Sequence, residues 1–362
     1  MSDGLRSGRT FSGRAVTVIA VVACGVIAAW LTLLRPPATG PRHAPPSATA
    51  VASTRSSAPP AAVRLLATFP VQSNLMAAQG GRLYAVEIRS RSVTFVRVDP
   101  DGTITRRSAR DPLAPYLSAI AAQGGSLYVG TNVVARFTSA RNELVRMSAS
   151  SLARVARTRL PAGIVALASS AHGIWLALTD DRLVRLDPAS LAVRASYTVP
   201  GAIPAPLGSS SFDSLTLGPS GLWATFGTAR RTTLERFDPA TLTLLDAIRV
   251  PEVGQGIRVA SSPESVWLAG QGFVRRLDPS GALLPAVPAP GLQGVAVSGT
   301  SVLVLRSSGD ASETLEVLDA RGRVIGRTDV GDAGASIAVD GRVVWLERGL
   351  RIARWRLTPS GQ

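Results

Sequence analysis

The chain has 362 residues, 46% hydrophobic and 17% charged, so it is long enough to bury a large core and is not disordered throughout. All 39 basic residues are arginine, which excludes P-loop, Schiff-base and kinase chemistry that depends on a lysine. The single cysteine, Cys24, excludes intrachain disulfides and cysteine-based zinc or iron–sulfur sites, and His43 and His172 are the only histidines.

The first predicted element is a membrane-spanning helix over residues 15–34. This uncharged run is long enough to cross the roughly 30 Å hydrocarbon core of a bilayer, and it exceeds the apolar core of a cleaved signal peptide. Trp30 near its end suits an interfacial anchor, so the run favours an uncleaved signal anchor. The arginines within residues 1–14 place that segment in the cytoplasm and the rest of the chain outside.

Two further features of the N-terminal part bear on this prediction. Residues 21–24 resemble a lipoprotein cleavage box, but the apolar run continues beyond Cys24, which favours a small residue inside a membrane helix. Residues 35–62 are rich in Pro, Ala, Ser and Thr and show no apolar periodicity, which predicts a disordered linker. His43 lies in this linker and is expected to be solvated.

Residues 63–362 contain a repeated phrase in which a Gly- or Ser-containing turn leads into a strand with a large apolar residue. The residues that mark the phrase are Tyr84, Tyr128, Trp175, Trp223, Trp267, Leu303 and Trp345. They are 36 to 48 residues apart, the spacing of four-stranded propeller blades.

A second phrase, an apolar strand that ends in Asp-Pro or a relative of it, follows most of these positions. It occurs at Asp99, Asp187, Asp238 and Asp278, and as Asp-Ala at Asp319. Asp caps a turn with its side chain while Pro presets the turn backbone, so repeated turn chemistry explains residues 99–102 better than a calcium loop does.

The last unit lacks a fourth strand, and residues 62–70 resemble the strand that is missing. This segment resembles residues 192–200, which form a fourth strand elsewhere in the repeat. Pairing the N-terminal strand with the last unit covers both free edges. The sequence therefore predicts an all-β fold: a seven-bladed β-propeller over residues 63–362, closed by its N-terminal strand.

The phrases at residues 218–223 and 234–239 resemble the repeats of bacterial streptogramin (virginiamycin B) lyase-like propellers. They are also similar to those of YVTN and quinoprotein-like propellers. The resemblance covers residues 63–362 and consists mainly of blade-forming residues, which specify fold and hardly function.

The resemblance implies two kinds of enzyme, which the residues do not favour. Streptogramin lyases use magnesium and histidines on one face of the ring, whereas His172 is predicted in a turn on the opposite face. Quinoprotein-like enzymes often have vicinal cysteines, which this chain lacks. Carboxylates that could act instead, at Asp180, Asp181, Asp310, Glu313 and Asp332, fall mostly in predicted loops, where we expect them to be solvated. We therefore assign no catalytic residue, metal site or cofactor, with a divergent enzyme as the alternative.

The sequence favours a binding role on the face formed by the loops between second and third strands and between blades. Candidate residues on that face are Asn74, Arg89, Arg91, Tyr116, Asp213, Arg230, Arg231, Gln255 and Gln293. Residues 63–362 contain 33 arginines and 23 acidic residues, which favours anionic neighbours. The alternative is that the arginines are dispersed over the surface and simply take the place of lysines, which would give the same excess of arginine over acidic residues.

These observations predict a single-pass protein of the bacterial cell membrane whose propeller is extracellular or periplasmic. The propeller is expected to act as a binding platform for a protein or an anionic envelope component. Nucleic acid is not expected as a partner outside the cell.

Overall fold

The structure is a computed structural model that describes residues 63–358 except 74, 90–91, 111–115, 133–141, 201–211, 229–230, 253–255, 271, 279, 308–311, 332–333 and 335. All of them belong to one compact unit, Ser57–Gln362. The predictions for residues 1–14, 15–34 and 35–62 lie outside the described residues. Within the described part, no helix has the length and hydropathy of a membrane span.

The described chain is built from 28 β-strands. In chain order they are β1 (Val63–Phe69), β2 (Leu75–Gln79), β3 (Arg82–Arg89), β4 (Ser92–Val98), β5 (Ile104–Arg110), β6 (Leu117–Gln123), β7 (Ser126–Thr131), β8 (Glu143–Ser148), β9 (Arg154–Arg159), β10 (Ile164–Ser170), β11 (Gly173–Leu178), β12 (Arg182–Leu186), β13 (Val193–Thr198), β14 (Phe212–Gly218), β15 (Gly221–Thr228), β16 (Arg231–Phe237), β17 (Leu244–Val250), β18 (Arg258–Ser262), β19 (Ser265–Gly270), β20 (Gly272–Arg276), β21 (Val287–Ala289), β22 (Leu292–Ser298), β23 (Ser301–Ser307), β24 (Glu313–Leu318), β25 (Val324–Gly331), β26 (Ile337–Asp340), β27 (Val343–Arg348) and β28 (Arg351–Leu357).

The strands form seven antiparallel sheets of four, which are the blades of a ring. Blades 1 to 6 are β2–β5, β6–β9, β10–β13, β14–β17, β18–β21 and β22–β25, and blade 7 is β26–β28 with β1. The first strand of each blade contacts the first strands of its neighbours, and β2 contacts both β6 and β26, which closes the ring. The predicted all-β, seven-bladed β-propeller is confirmed.

Strand β1 closes the ring as the sequence predicts. It pairs with β28 in antiparallel register from Val63↔Leu357 to Phe69↔Ile352. The Phe69 side chain is buried, and its ring centroid lies 5.8 Å from that of Trp345 on β27. The fourth strand of blade 7 therefore comes from the opposite end of the described chain.

The hydrophobic core lies between neighbouring blades. The second strands are the most buried; every residue of β11 and β19 is buried because each of these strands is covered on both sheet faces. Each core cluster draws on two adjacent blades, as where Tyr84 and Phe95 of blade 1 pack with Val129 and Met147 of blade 2. Apolar burial between blades is thus the main stabilising contribution.

The two faces of the ring differ in their connections. On one, which we call the turn face, two residues separate the first strand from the second in every blade, and the third-to-fourth-strand turns lie beside them. In the turns at Gly80–Gly81 and Gly124–Gly125 both glycines have positive φ, which two-residue hairpins of this type require. On the opposite face, which we call the loop face, connections range from residue 271 alone to residues 199–211.

In blades 3 to 6 the Asp side chains cap the third-to-fourth-strand turns as predicted. Asp187 Oδ1 accepts hydrogen bonds from the backbone N–H of Ala189 at 2.9 Å and of Ser190 at 2.8 Å. In the turn of blade 1, both Asp99 oxygens are paired with arginines, Oδ1 with Arg82 at 2.8 Å and Oδ2 with Arg97 at 2.9 Å. The prediction that the Asp99 side chain caps its turn is therefore wrong, because the Gly102 N–H donates to the backbone oxygen of Asp99 at 3.0 Å instead.

An arginine stands on the third strand of six blades, and in five of them a described hydrogen bond joins it to a backbone carbonyl of the next blade, a contact that the sequence analysis missed. It stands opposite the large residue of the second strand, and the pairs are Tyr84↔Arg97, Tyr128↔Arg146, Trp175↔Arg185, Trp223↔Arg236, Trp267↔Arg276 and Trp345↔Arg354. Arg146 Nη1, for example, donates to Pro188 O at 2.8 Å and Ala189 O at 2.7 Å in the turn of blade 3. We call this pair and its acceptor turn a staple.

Blade 6 has no staple. Its corresponding pair is Leu303↔Val317, and both side chains are fully or almost fully buried. The turn that a staple would reach lies in blade 7, where β28 and β1 are adjacent in the sheet but not consecutive in the chain. The aromatic residue and the arginine are therefore both replaced at the one junction where no third-to-fourth-strand turn exists to accept the bond.

Candidate binding face

The loop face holds the described candidate residues. Arg89 ends β3, Tyr116 precedes β6, Arg231 begins β16, and Asp213 and Gln293 are the second residues of β14 and β22. Asn74, Arg91, Arg230 and Gln255 lie outside the described residues. The described candidates thus share one face of the ring, and their roles in binding stay predictions.

Asp213 is the most unusual of these residues. Its Oδ1 accepts a hydrogen bond from Gly256 N–H at 3.0 Å, across the junction between blades 4 and 5. Its Oδ2 is buried and has no hydrogen-bond partner among the described residues. Burial raises the pKa of Asp213, although backbone hydrogen bonds from Gly256 and Ile257 oppose the shift. A half-buried carboxyl of this kind on a loop face is typical of a binding position.

The structure connects two candidates through residues that the sequence analysis did not single out. Two residues beyond Gly256, Arg258 begins the first strand of blade 5, and its Nη1 donates to Gln293 O in blade 6 at 3.4 Å. The inner ends of blades 4, 5 and 6 therefore carry an acid, an exposed arginine and an exposed glutamine in succession. Arg258 could have been found from its position, because it follows the same kind of inter-blade loop as Asp213.

A second acid on the loop face, Glu347, was also missed. It lies near the loop-face end of β27, two residues after Trp345. Burial raises the pKa of Glu347, against a hydrogen bond from Ser336 that lowers it. Its backbone also holds the inter-blade loop, since Glu347 O accepts from Gly334 N–H at 2.8 Å.

The remaining loop-face candidates are less enclosed. The Arg89 side chain is exposed at the end of β3, and its carbonyl accepts a hydrogen bond from Ser92 Oγ at 3.0 Å. Tyr116 is half-buried, and its carbonyl accepts from Asn132 N–H at 2.8 Å. Arg89 is thus available to a partner, while Tyr116 helps to hold the entry to blade 2.

The structure describes three of the five carboxylates considered in the sequence analysis: Asp180, Asp181 and Glu313. Asp180 pairs with its neighbour Arg182, with Oδ2 2.8 Å from Arg182 Nε. The expectation that Asp181 is solvated is wrong: it is 1% exposed, with a φ of 58° in a tight turn that folds it inward. Glu313 belongs to strand β24 and is half-buried, so it is not a solvated loop residue either. Asp310 and Asp332 lie outside the described residues.

The histidine prediction is confirmed in its placement. His172 lies in the two-residue turn between β10 and β11, exposed on the turn face, and its carbonyl accepts from Arg185 Nη2 at 2.8 Å. Among the residues that the structure describes, no three His, Cys, Asp or Glu side chains are grouped so that they could hold a metal ion. His172 and the loop-face acids therefore lie on opposite faces.

Comparison with solved structures shows the same architecture in distant proteins. BamB from Moraxella catarrhalis matches 82% of this chain and 100% of its own, with a TM-score of 0.52 and 12% identity. The Pan2 WD40 domain from Neurospora crassa matches 81% of this chain and 90% of its own, with a TM-score of 0.59 and 13% identity. What these proteins share is the propeller fold.

Sequence comparison is less informative. No protein-family model and no curated protein matches the chain. The specific resemblance to streptogramin lyase-like propellers therefore stays a prediction, while the propeller itself is established by the structure.

Proposed function

We propose that this protein is a membrane-anchored binding platform of the bacterial cell envelope whose loop face takes a protein or ligand partner. The observation that carries the proposal is the difference between the two faces. On the turn face, two residues join the first strand to the second in every blade, whereas the loop-face connections range from one residue to thirteen. Variable loops on a rigid scaffold are where proteins usually place their binding residues.

The route of the chain supports this orientation. The third strand β28 ends at the turn face, so its antiparallel partner β1 begins there, at Val63. A segment that precedes Val63 therefore joins the ring on the turn face. If residues 15–34 anchor the chain in the membrane, the chain that leads to the anchor leaves the ring on the turn face, and the loop face stays open to a partner.

Photo-crosslinking from matched positions tests which face binds. A photoreactive amino acid replaces Arg89 or Gln293 on the loop face, or His172 on the turn face, in the full-length chain expressed in its source organism. All three side chains are exposed, so the fold should tolerate each substitution. We expect one defined crosslinked product from Arg89 and Gln293 and none from His172, resolved by gel mobility and mass spectrometry.

A variant that lacks four loop-face arginines provides the control. Arg89, Arg91, Arg230 and Arg231 are changed together to Ser, and the product crosslinked from Gln293 should weaken. Equal crosslinking from His172 and Gln293 would contradict binding on the loop face, and no product from any position would contradict a protein partner.

A separate experiment tests the proposed location of the propeller outside the cytoplasm. Alkaline phosphatase needs an oxidising compartment for its disulfides, so a fusion after Gln362 should be active only if the propeller is exported. We expect activity from the full-length fusion and none when residues 1–34 are removed. Activity that does not depend on residues 1–34 would overturn the signal-anchor assignment.

A further inference from the structure

A groove runs along the rim of the ring between blades 1 and 2. It encloses about 360 Å³ and has an apolar floor that includes Phe95 from blade 1 and Val145 and Met147 from blade 2. Arg107 of blade 1 and Arg154 of blade 2 lie on its walls. We call this cavity the rim groove; a ligand that fills it must present both apolar groups and negative charge.

The outer strand of blade 2 adds further positive charge along the rim groove. Its arginines pair with third-strand residues that line the groove, in the register Met147↔Arg154, Val145↔Arg157 and Glu143↔Arg159. Directly opposed residues of an antiparallel pair point to the same sheet face, so the three arginines follow one side of the groove. From Arg154 to Arg159 they cover about 16 Å at the rise of an extended strand.

One acid at the end of the groove does not balance these charges. The Glu143 side chain is 10% exposed and lies 3.7 Å from Arg157 and 3.8 Å from Arg159. Those two arginines remain 54% and 66% exposed, so they can also reach a ligand. Arg107 on the opposite wall is exposed as well. The rim groove therefore keeps a net positive charge beside its apolar floor.

The fold does not require arginines at these positions. In blade 3 the residues that pair with the equivalent third-strand positions are Val193, Ser196 and Thr198. In blade 4 they are Leu244, Ala247 and Arg249. Charged residues often protect an edge strand from aggregation, but these two blades maintain their edges with one arginine between them at these positions. Protection alone does not account for three arginines beside an apolar groove.

We propose that the rim groove binds an extended acidic polypeptide segment in which carboxylates alternate with apolar side chains. Carboxylates would pair with the arginines of β9 while the apolar side chains enter the floor. Strand β9 is the outer strand of its sheet, so its free edge can also take the main chain of an added strand. The single file of arginines fits a strand better than a flat lipid surface. The inference goes beyond the loop-face function and can fail without affecting it.

The binding test uses the full-length chain in detergent and a fluorescein-labelled eight-residue peptide that alternates glutamate with leucine. Fluorescence anisotropy should show saturable binding that salt weakens, and the same peptide with glutamine for glutamate should bind much less. In the variant R154S/R157S/R159S we expect the dissociation constant to rise by about tenfold or more, which is roughly 1.4 kcal/mol or more.

Two further variants separate the groove from general surface charge. R64S/R249S/R321S removes the same charge from exposed arginines of other blades and should change the dissociation constant by less than about twofold, as expected for positions that do not touch the peptide. Ala109→Trp fills the groove from an exposed wall position without removing an arginine and should also abolish binding. Melting curves confirm that all variants remain folded.

Three results would overturn the proposal. One is no binding of the glutamate–leucine peptide at low salt. Another is an equal loss of affinity in the two triple variants, which would mean that net charge alone attracts the peptide. The third is strong binding to phosphatidylglycerol vesicles that R154S/R157S/R159S abolishes while the peptide does not compete, which would identify the rim as a lipid contact.

Discussion

Asp238 and Asp213 lie at opposite ends of blade 4, and their carboxyl pKa values are displaced in opposite directions. At the turn face, the backbone N–H and hydroxyl of Thr241 and the N–H of Ala240 donate to Asp238, which lowers its pKa. At the loop face, burial raises the pKa of Asp213. One carboxylate is thus placed to stabilise the fold, while the other is held where its charge opposes folding.

Because its pKa is lowered in the folded state, Asp238 should stabilise the protein less as the pH falls. Its folded pKa lies below the unfolded value of about 3.9, so the unfolded state binds more protons in acid. Its stabilising contribution is present above that value and is lost as the pH falls through the folded pKa. We expect Asp238→Asn, which keeps an oxygen for the turn, to lower stability at pH 7 and to flatten its fall between pH 5 and 2, measured by urea unfolding. If the stability of Asp238→Asn falls between pH 5 and 2 as steeply as that of the unchanged protein, this assignment is contradicted.

Asp213 should affect stability in the opposite direction, because its pKa is raised in the folded state. Its folded pKa lies above the unfolded value, so its contribution is present below about pH 3.9 and is lost as the pH rises through the folded pKa. Because its charge is unfavourable at pH 7, Asp213→Asn should raise the urea midpoint there while weakening crosslinking from Gln293. A lower midpoint would show that the carboxylate is structural. Stability sacrificed at one residue is common at binding sites.

A staple can be tested at Arg146. Arg146→Met keeps the apolar stem but removes two hydrogen bonds to carbonyls of blade 3. We expect a loss of about 1–3 kcal/mol in the free energy of unfolding, because hydrogen bonds from a charged donor contribute about that much. The matched change Arg249→Met, at an exposed position on the outer strand of blade 4, should cost less than about 0.5 kcal/mol. Equal effects would show that the staple adds nothing beyond a surface arginine.

At the residue scale, hydrogen bonds within a turn could be predicted from the sequence, and those between blades could not. The Asp-Pro turns could be identified because the acceptor and its donors lie within four residues of each other. The arginine two positions before Asp recurs just as visibly, but its acceptor lies in the next blade, 55 residues away for Arg185. Asp181 was misjudged because a loop position in the sequence does not show that a tight turn will fold inward.

At the scale of the element, β1 is the strand whose loss should matter most. Deleting residues 63–70 removes the buried side chains of Val63 and Phe69 and exposes the edge of β28. Two such side chains contribute roughly 3–6 kcal/mol, so we expect the melting temperature to fall by roughly 10–20 °C.

A deletion of the same length in the predicted linker, residues 45–52, provides the control for this experiment and should leave the melting temperature unchanged. A peptide with the sequence of residues 63–70, added in excess, should restore part of the loss. If the melting curve of the deleted chain is unchanged, β1 does not close the ring.

The strands were predictable because blade positions repeat. Strand β13 (Val193–Thr198) lies within the predicted fourth strand 192–200, and β1 lies within the predicted 62–70. The rim groove was not predictable, because it arises from the side chains of two blades that meet only in the closed ring. The only signal of the rim groove in the sequence was the excess of arginines over acidic residues in residues 82–159.

At the scale of the whole molecule, the structural contacts and the two proposed binding surfaces lie on different parts of the ring. Staples and capped turns occupy the turn face, half-buried acids lie on the loop face, and the rim groove opens to the side between blades 1 and 2. A partner on the loop face and an acidic segment in the rim groove could therefore bind at the same time. Variants of the two surfaces should act independently, so their effects on binding free energy should add within about 0.5 kcal/mol.

The chain enters the ring at Val63, at the turn-face end of the strand that completes blade 7. Tension between a partner on the loop face and the chain that precedes Val63 is therefore directed along β1. The backbone hydrogen bonds between β1 and β28 lie across that direction, so the whole ladder bears the force together in shear. A strand pulled sideways from an edge would lose the same bonds one after another. If residues 15–34 anchor the chain as proposed, the junction between β1 and β28 is therefore able to resist mechanical load.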